Sequence, residues 1–128
     1  MKCFIKISAA LLVSAVSVFA VEFENGTNLV IDTALDYSTE EFVVGNLTSN
    51  NVVDIEPGGS VTSLSGTIGK GSNALDNAVS VDGATAAWNN TGNLFVGDEG
   101  SDGELRIMTG ASVSAADVYI GNAAEASV

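Results

Sequence analysis

Histidine is absent from the 128 residues, cysteine and proline occur once each, and Lys and Arg together number four against sixteen Asp and Glu. Without histidine there is no imidazole to ligate zinc or to serve Ser-His-Asp or Cys-His catalysis. The one cysteine, Cys3, precedes an apolar run, whereas a lipoprotein acceptor would follow one, and the rest of the chain has no thiol for a disulfide. Sustained helical periodicity is also missing, since "SNALDNAV" and "SAADVY" are too short and too interrupted to count.

What is there begins with "MKCFIKISAALLVSAVSVFA". Lys2 and Lys6 stand ahead of an uncharged, largely apolar run from Ile7 to Phe19, and Val18 and Ala20 supply small residues three and one places before a cut. This is the layout of a secretory signal peptide over residues 1–20, with cleavage after Ala20. The rival reading, a membrane anchor, would need a span of about 20 apolar residues, and this run is shorter and interrupted by serine. Residues 21–128 then keep only Lys70 and Arg106 against all sixteen acidic residues, with no transmembrane span. So acidic a chain should repel nucleic acid and anionic lipid and favour cations as small partners.

Self-similarity is the most informative signal. "FVVGNLTSNNVVDIEPGGSVTSLSGTIG" lies over "LFVGDEGSDGELRIMTGASVSAADVYIG" without a gap and with nine identities. Val44-Gly45 meets Val96-Gly97, Ile55 meets Ile107, Gly58 meets Gly110, Val61 meets Val113, and Ile68-Gly69 meets Ile120-Gly121. Apolar residues two apart, as at 42 and 44 or 53 and 55, share one side of a strand, and the Gly, Asn, Ser and Asp between them are turn residues. A looser match sets Leu29, Ile31 and Asp32 on Val79, Val81 and Asp82, and brings Trp88 near Tyr37. One unit thus covers about 29–78, a second 79–122, and "AEASV" resembles the start of a further unit to 128.

Within each unit the Val-Gly and Ile-Gly marks are 24 residues apart, about one coil of a parallel β-solenoid, or β-helix. In that fold inward Val, Leu and Ile stack into a continuous core while positions such as Asp117 and Tyr119 meet solvent. An antiparallel sandwich or a propeller fragment also gives short strands and Gly-rich turns, but two-residue Asn-Gly or Asp-Gly hairpin turns are not evident between these strands. The expected class is therefore all-β, a parallel solenoid of short repeats after the signal peptide.

The run "VSVDGATAAWNNTGNLFVGDEGSDGELRIMTGASVSAADVYIGN" resembles the repeat associated with type V secretion autotransporters and PEP-CTERM proteins. The matching residues are Gly83, Trp88, Leu94, Val96-Gly97, Gly100, Gly103, Leu105, Ile107, Gly110, Val113 and Ile120-Gly121. Residues 29–69 form a degenerate copy in which the tryptophan is missing. The resemblance implies an extracellular or outer-membrane-surface passenger region, structural or adhesin-like, with no catalytic residue and no cofactor. Surface glycans or other copies of a surface protein are the implied partners. With about two units present, and neither a sorting tail nor a barrel in the sequence, an amino-terminal piece of a longer chain is expected.

One stretch invites chemistry. "GDEGSDG" resembles part of the tandem Gly-Asp nonapeptide that binds calcium in toxin solenoids, making Asp98 and Asp102 candidate ligands. However, Glu104 stands where that pattern wants an aliphatic residue, and the counterpart turn "NLTSNN" has no carboxylate, so a solvated turn is the plainer reading. Asp98, Glu99, Asp102 and Glu104 could supply an acid–base pair for glycoside cleavage, but aromatics and cations to hold a sugar are few, and no enzyme is expected. Trp88 is read as a core or coil-edge filler, with a glycan contact as its alternative.

Overall fold

The computed structural model describes residues 4–7, 20–100, 102–122 and 126–127. In chain order the strands are β1 Phe4–Ile7, β2 Ala20–Phe23, β3 Asn28–Ile31, β4 Ala34–Val44 and β5 Val52–Ile55. Next come β6 Ser60–Ile68, β7 Ala78–Asp82, β8 Ala87–Asn90 and β9 Leu94–Val96. The last are β10 Gly103–Met108, β11 Ser112–Ser114, β12 Val118–Ile120 and β13 Ala126–Ser127. No helix occurs among the described residues, and in particular none long and apolar enough to cross a membrane.

Every strand pairing is parallel, and each joins one coil to the next, in the order β1-β3-β5-β7-β10-β13 on one sheet and β2-β4-β6-β8-β11 with β9 and β12 on the other. The molecule is the parallel β-solenoid that the sequence predicts. Register gives the coil length directly. Asn28 pairs Val52, Val52 pairs Ala78 and Ala78 pairs Glu104, which are steps of 24, 26 and 26 residues. The gap-free match of Phe42 onto Leu94 therefore spans two coils, with Gly66 between them in the stack.

Period-two alternation decides what faces inward. Leu29, Val53, Val79 and Leu105 form one column and Ile31, Ile55, Val81 and Ile107 the next. Leu35, Val61, Trp88 and Val113 stack on the second face. Val44, Ile68, Val96 and Ile120 stack on the third. Each aliphatic side chain so buried contributes about 1.5–3 kcal/mol relative to exposure. Phe42 is the hub of the interior, with ring centroids 5.0 Å from Phe23, 6.0 Å from Tyr37 and 5.5 Å from Trp88.

The glycine after each member of the third column turns the corner. Gly45, Gly69, Gly97 and Gly121 have φ of 78°, 70°, 68° and 65°, the left-handed region that a side chain makes costly. A Cβ on Gly45 would also stand 2.3 Å from the side chain of Asn77. Gly58 and Gly110 turn the opposite corner, again at positive φ.

Two details differ from the sequence expectation. Trp88 stacks on Val61 and Leu35, not on Tyr37, whose column runs through Ser63 and Asn90. The cause is the corner between the two sheets: Leu35 follows Ile31 by four residues, whereas Trp88 follows Val81, on the same two columns, by seven. Ile107 and Ile120, assigned to the repeat interior, are 47% and 51% exposed, and Val113 is half-buried, because these residues lie in the last coil whose strands are described in full. The expected signal peptide falls largely outside the described residues; of it, Phe4–Ile7 runs as a strand along β3 and Ala20 opens β2. Of the expected further unit, β13 pairs with β10 at Gly103 and Glu104.

Candidate functional site

The acidic stretch occupies the corner between β9 and β10, stacked on the turn of the coil beneath. Asp98 N and Gly100 N both donate to Gly69 O at 3.0 Å, and Glu99 N donates to Lys70 O at 3.2 Å. A Cβ on Gly100 would come within 2.1 Å of Ala74 O, so its small size lets two backbones touch. Asp98 is half-buried and its Oδ1 accepts from Asn122 Nδ2 at 2.7 Å; Glu99 and Asp102 are exposed. Glu104 lies on β10, where it takes two hydrogen bonds from Arg106, at 2.7 and 2.6 Å. Among the described residues no three His, Cys, Asp or Glu side chains gather to hold a metal ion. Asp98 and Asp102 therefore share a turn without a third ligand of that kind.

A carboxylate does fill the equivalent corner two coils lower. Glu24 accepts from the backbone N–H groups of Leu47 and Thr48, both at 2.9 Å, and also from Asn46 N and Thr48 Oγ1. Successive N–H groups around a turn form an anion-binding concavity, which here is occupied by the protein's own side chain.

Beside these corners runs a buried polar ladder that no motif in the sequence marks. Thr27 N donates to Asn51 Oδ1 at 2.9 Å, and Asn51 N and Nδ2 donate to Asn77 Oδ1 at 3.0 and 2.8 Å. Thr27, Asn51 and Asn77 are buried, and Asn77 Nδ2 has no hydrogen-bond partner among the described residues. A signal existed, since Asn51 and Asn77 are one coil apart and each immediately precedes a strand of the first sheet.

No protein-family model, curated protein or solved structure matches the chain. The molecule's own geometry thus carries the functional argument.

Trp88 is completely buried, and its Nε1 donates to Ser63 Oγ at 3.1 Å. Ser63 in turn donates to Asn90 Oδ1 at 2.7 Å. With no exposed ring face, Trp88 is a core filler, and the alternative of a glycan contact at this residue is withdrawn. The aromatic pair at the surface is Phe95 with Tyr119, stacked with centroids 5.0 Å apart and planes at 11°. Parallel pairing puts them at matching positions on β9 and β12, about 4.8 Å apart along the axis, so the rings stack.

Electrostatically, the two basic residues of 21–128 are both engaged. Lys70 Nζ lies 2.5 Å from Glu41 Oε2, and Arg106 is held by Glu104. Asp54 faces outward between Val30 and Ser80, with its carboxyl raised above the usual range by partial burial and by the charge of Glu56, against an opposing pull from Arg106. Asp36 is lowered, because Ser38 N donates to its Oδ1 at 2.9 Å, and the Tyr37 hydroxyl is raised by burial.

Proposed function

We propose that the chain is a secreted structural or adhesin-like module, displayed at a bacterial cell surface as a passenger-type repeat and not an enzyme. The observation that carries this reading is the division of labour between columns. Interior positions repeat coil after coil as Leu, Val and Ile, while the outward column Asp36, Thr62, Asn89 and Ser114 is polar and varied. Such a rod spends its sequence on stacking and presents an extended hydrophilic face. The resemblance of residues 79–122 to autotransporter and PEP-CTERM repeats, and the signal-like residues 1–20, point the same way.

A glycan-binding reading rests on Phe95 and Tyr119, an outward aromatic pair beside hydrogen-bonding side chains such as Asp98 and Asn122. Loss of retention on a polysaccharide column in Tyr119→Ala, with unchanged folding, would establish it.

Expression of the full chain in a bacterial host, followed by fractionation and amino-terminal mapping, tests export. The expected product begins at Val21 and is reached by antibody on intact cells. A cytoplasmic product that keeps Met1 would refute the proposal.

A further inference from the structure

The bond that the export reading cuts, between Ala20 and Val21, lies inside a paired strand. Both residues belong to β2, whose register sets Ala20 on Glu41, Val21 on Phe42 and Phe23 on Val44 of β4. Ala20 and Val21 are half-buried, and Phe42 is completely buried. Among the described residues β2 stands at the end of its sheet and pairs with β4 alone, so the hold on this bond depends on what anchors the chain just downstream.

Those anchors follow closely on one another. Gly45 N donates to Phe23 O at 3.0 Å, and the Phe23 ring lies 5.0 Å from that of Phe42. Glu22 Oε1 accepts from Asn46 Nδ2 at 3.0 Å, and the Glu24 carboxylate is held by the N–H groups of Leu47 and Thr48. Asn25 N donates to Thr48 Oγ1 at 2.6 Å, and Thr27 N to Asn51 Oδ1 at 2.9 Å. The leader is drawn into the stack as well. Phe4 pairs with Asn28 and Ile7 with Ile31, and the step of 24 residues from Phe4 to Asn28 repeats the one from Asn28 to Val52. Strands on both sides of the cut thus belong to the first coil.

We infer, resting on the export reading of residues 1–20, that folding closes the processing site: once the first coil has stacked, the peptidase no longer reaches the bond between Ala20 and Val21, so the cut precedes folding. Hydrolysis adds water across this bond, leaving a carboxylate on Ala20 and an amino group on Val21, and it needs the chain withdrawn from β4 into the enzyme. A folded chain is cut only from the fraction in which that segment is open. Opening it gives up the contact of Phe23 with Phe42 and the hydrogen bonds of Glu22, Glu24, Asn25 and Thr27 together, because all of them lie in the one short run 21–27. A chain that folds before it is cut keeps its leader, with β1 paired to β3. The order of folding and processing therefore decides which amino terminus the folded molecule carries.

The same bond can be followed in two substrates. Purified bacterial signal peptidase is given the folded full chain, its strand content confirmed by circular dichroism, and a synthetic peptide of residues 1–27, and the appearance of the Val21 terminus is timed by mass spectrometry. The peptide should be cut and the folded chain should be cut about tenfold or more slowly, since its rate is scaled by the open fraction. Amide hydrogen exchange over residues 21–27 is measured on both substrates and should be slowed in the folded chain. Equal cleavage rates would overturn the inference. Slow cleavage of a folded chain whose residues 21–27 exchange as fast as in the peptide would overturn it too, because the protection would not come from the pairing. A peptide left uncut refutes the export reading instead, and the exchange then decides alone: protection supports a closed first coil, and exchange at the peptide's rate contradicts it.

Discussion

Gly66 and Trp88 occupy a single space: a Cβ on Gly66 would stand 2.4 Å from Cζ2 of the indole. Gly66 sits in the column between Phe42 and Leu94, and the ring of Trp88 from the next coil fills the room left by the missing side chain. Gly66→Ala should therefore destabilise the fold by about 1–3 kcal/mol through overpacking. Trp88→Ala should cost about 3–5 kcal/mol through the cavity it leaves. Urea unfolding of the two variants and the double variant measures the coupling, and the double variant should lose less than the sum.

The ladder of Thr27, Asn51 and Asn77 makes an unequal prediction. Asn51→Ala strips the side-chain partner from Thr27 N and Thr48 O together, while Asn77 Oδ1 keeps the Asn51 N–H. Asn77→Ala frees Asn51 alone and also removes an amide hydrogen that has no partner. Each unsatisfied buried group costs about 1–3 kcal/mol, so Asn51→Ala should be the more damaging by thermal denaturation.

Asp54 links stability to pH. Its carboxyl is raised in the folded state by burial and by Glu56, so the folded chain holds that proton more tightly than the unfolded one. The stability tied to the protonated form is fully present below the unfolded value of 3.8 and is lost as pH rises through the raised folded value. Asp54→Asn should accordingly melt above the parent chain at pH 7, with the difference shrinking as pH falls toward 3.8. Melting curves across that range check both the sign and the window.

The architecture was legible because a solenoid writes its register into sequence spacing. Val44-Gly45, Ile68-Gly69, Val96-Gly97 and Ile120-Gly121 recur at one corner, where backbone geometry demands glycine and the core demands an aliphatic neighbour. What could not be read depends on contacts across coils of unequal length. The shorter corner between β3 and β4 moves Trp88 from Tyr37 to Leu35, and no local pattern announces the difference in corner length. The asparagine ladder was visible in spacing, but asparagine next to a turn already has a local explanation, so its burial was hidden. Ile107 and Ile120 carry interior residue types, yet their exposure depends on what stacks above them.

The acidic corner bears on the central claim that this is a scaffold whose interior carries its specification and whose carboxylates are a surface turn. The direct measurement is the melting temperature of the chain and of the Asp98→Asn, Asp102→Asn double variant, each with and without millimolar calcium. Four melting temperatures within the span of an ordinary surface substitution, about 0.5 kcal/mol, are expected. A rise with calcium in the parent chain that the double variant loses would contradict the scaffold account and make this turn a metal site.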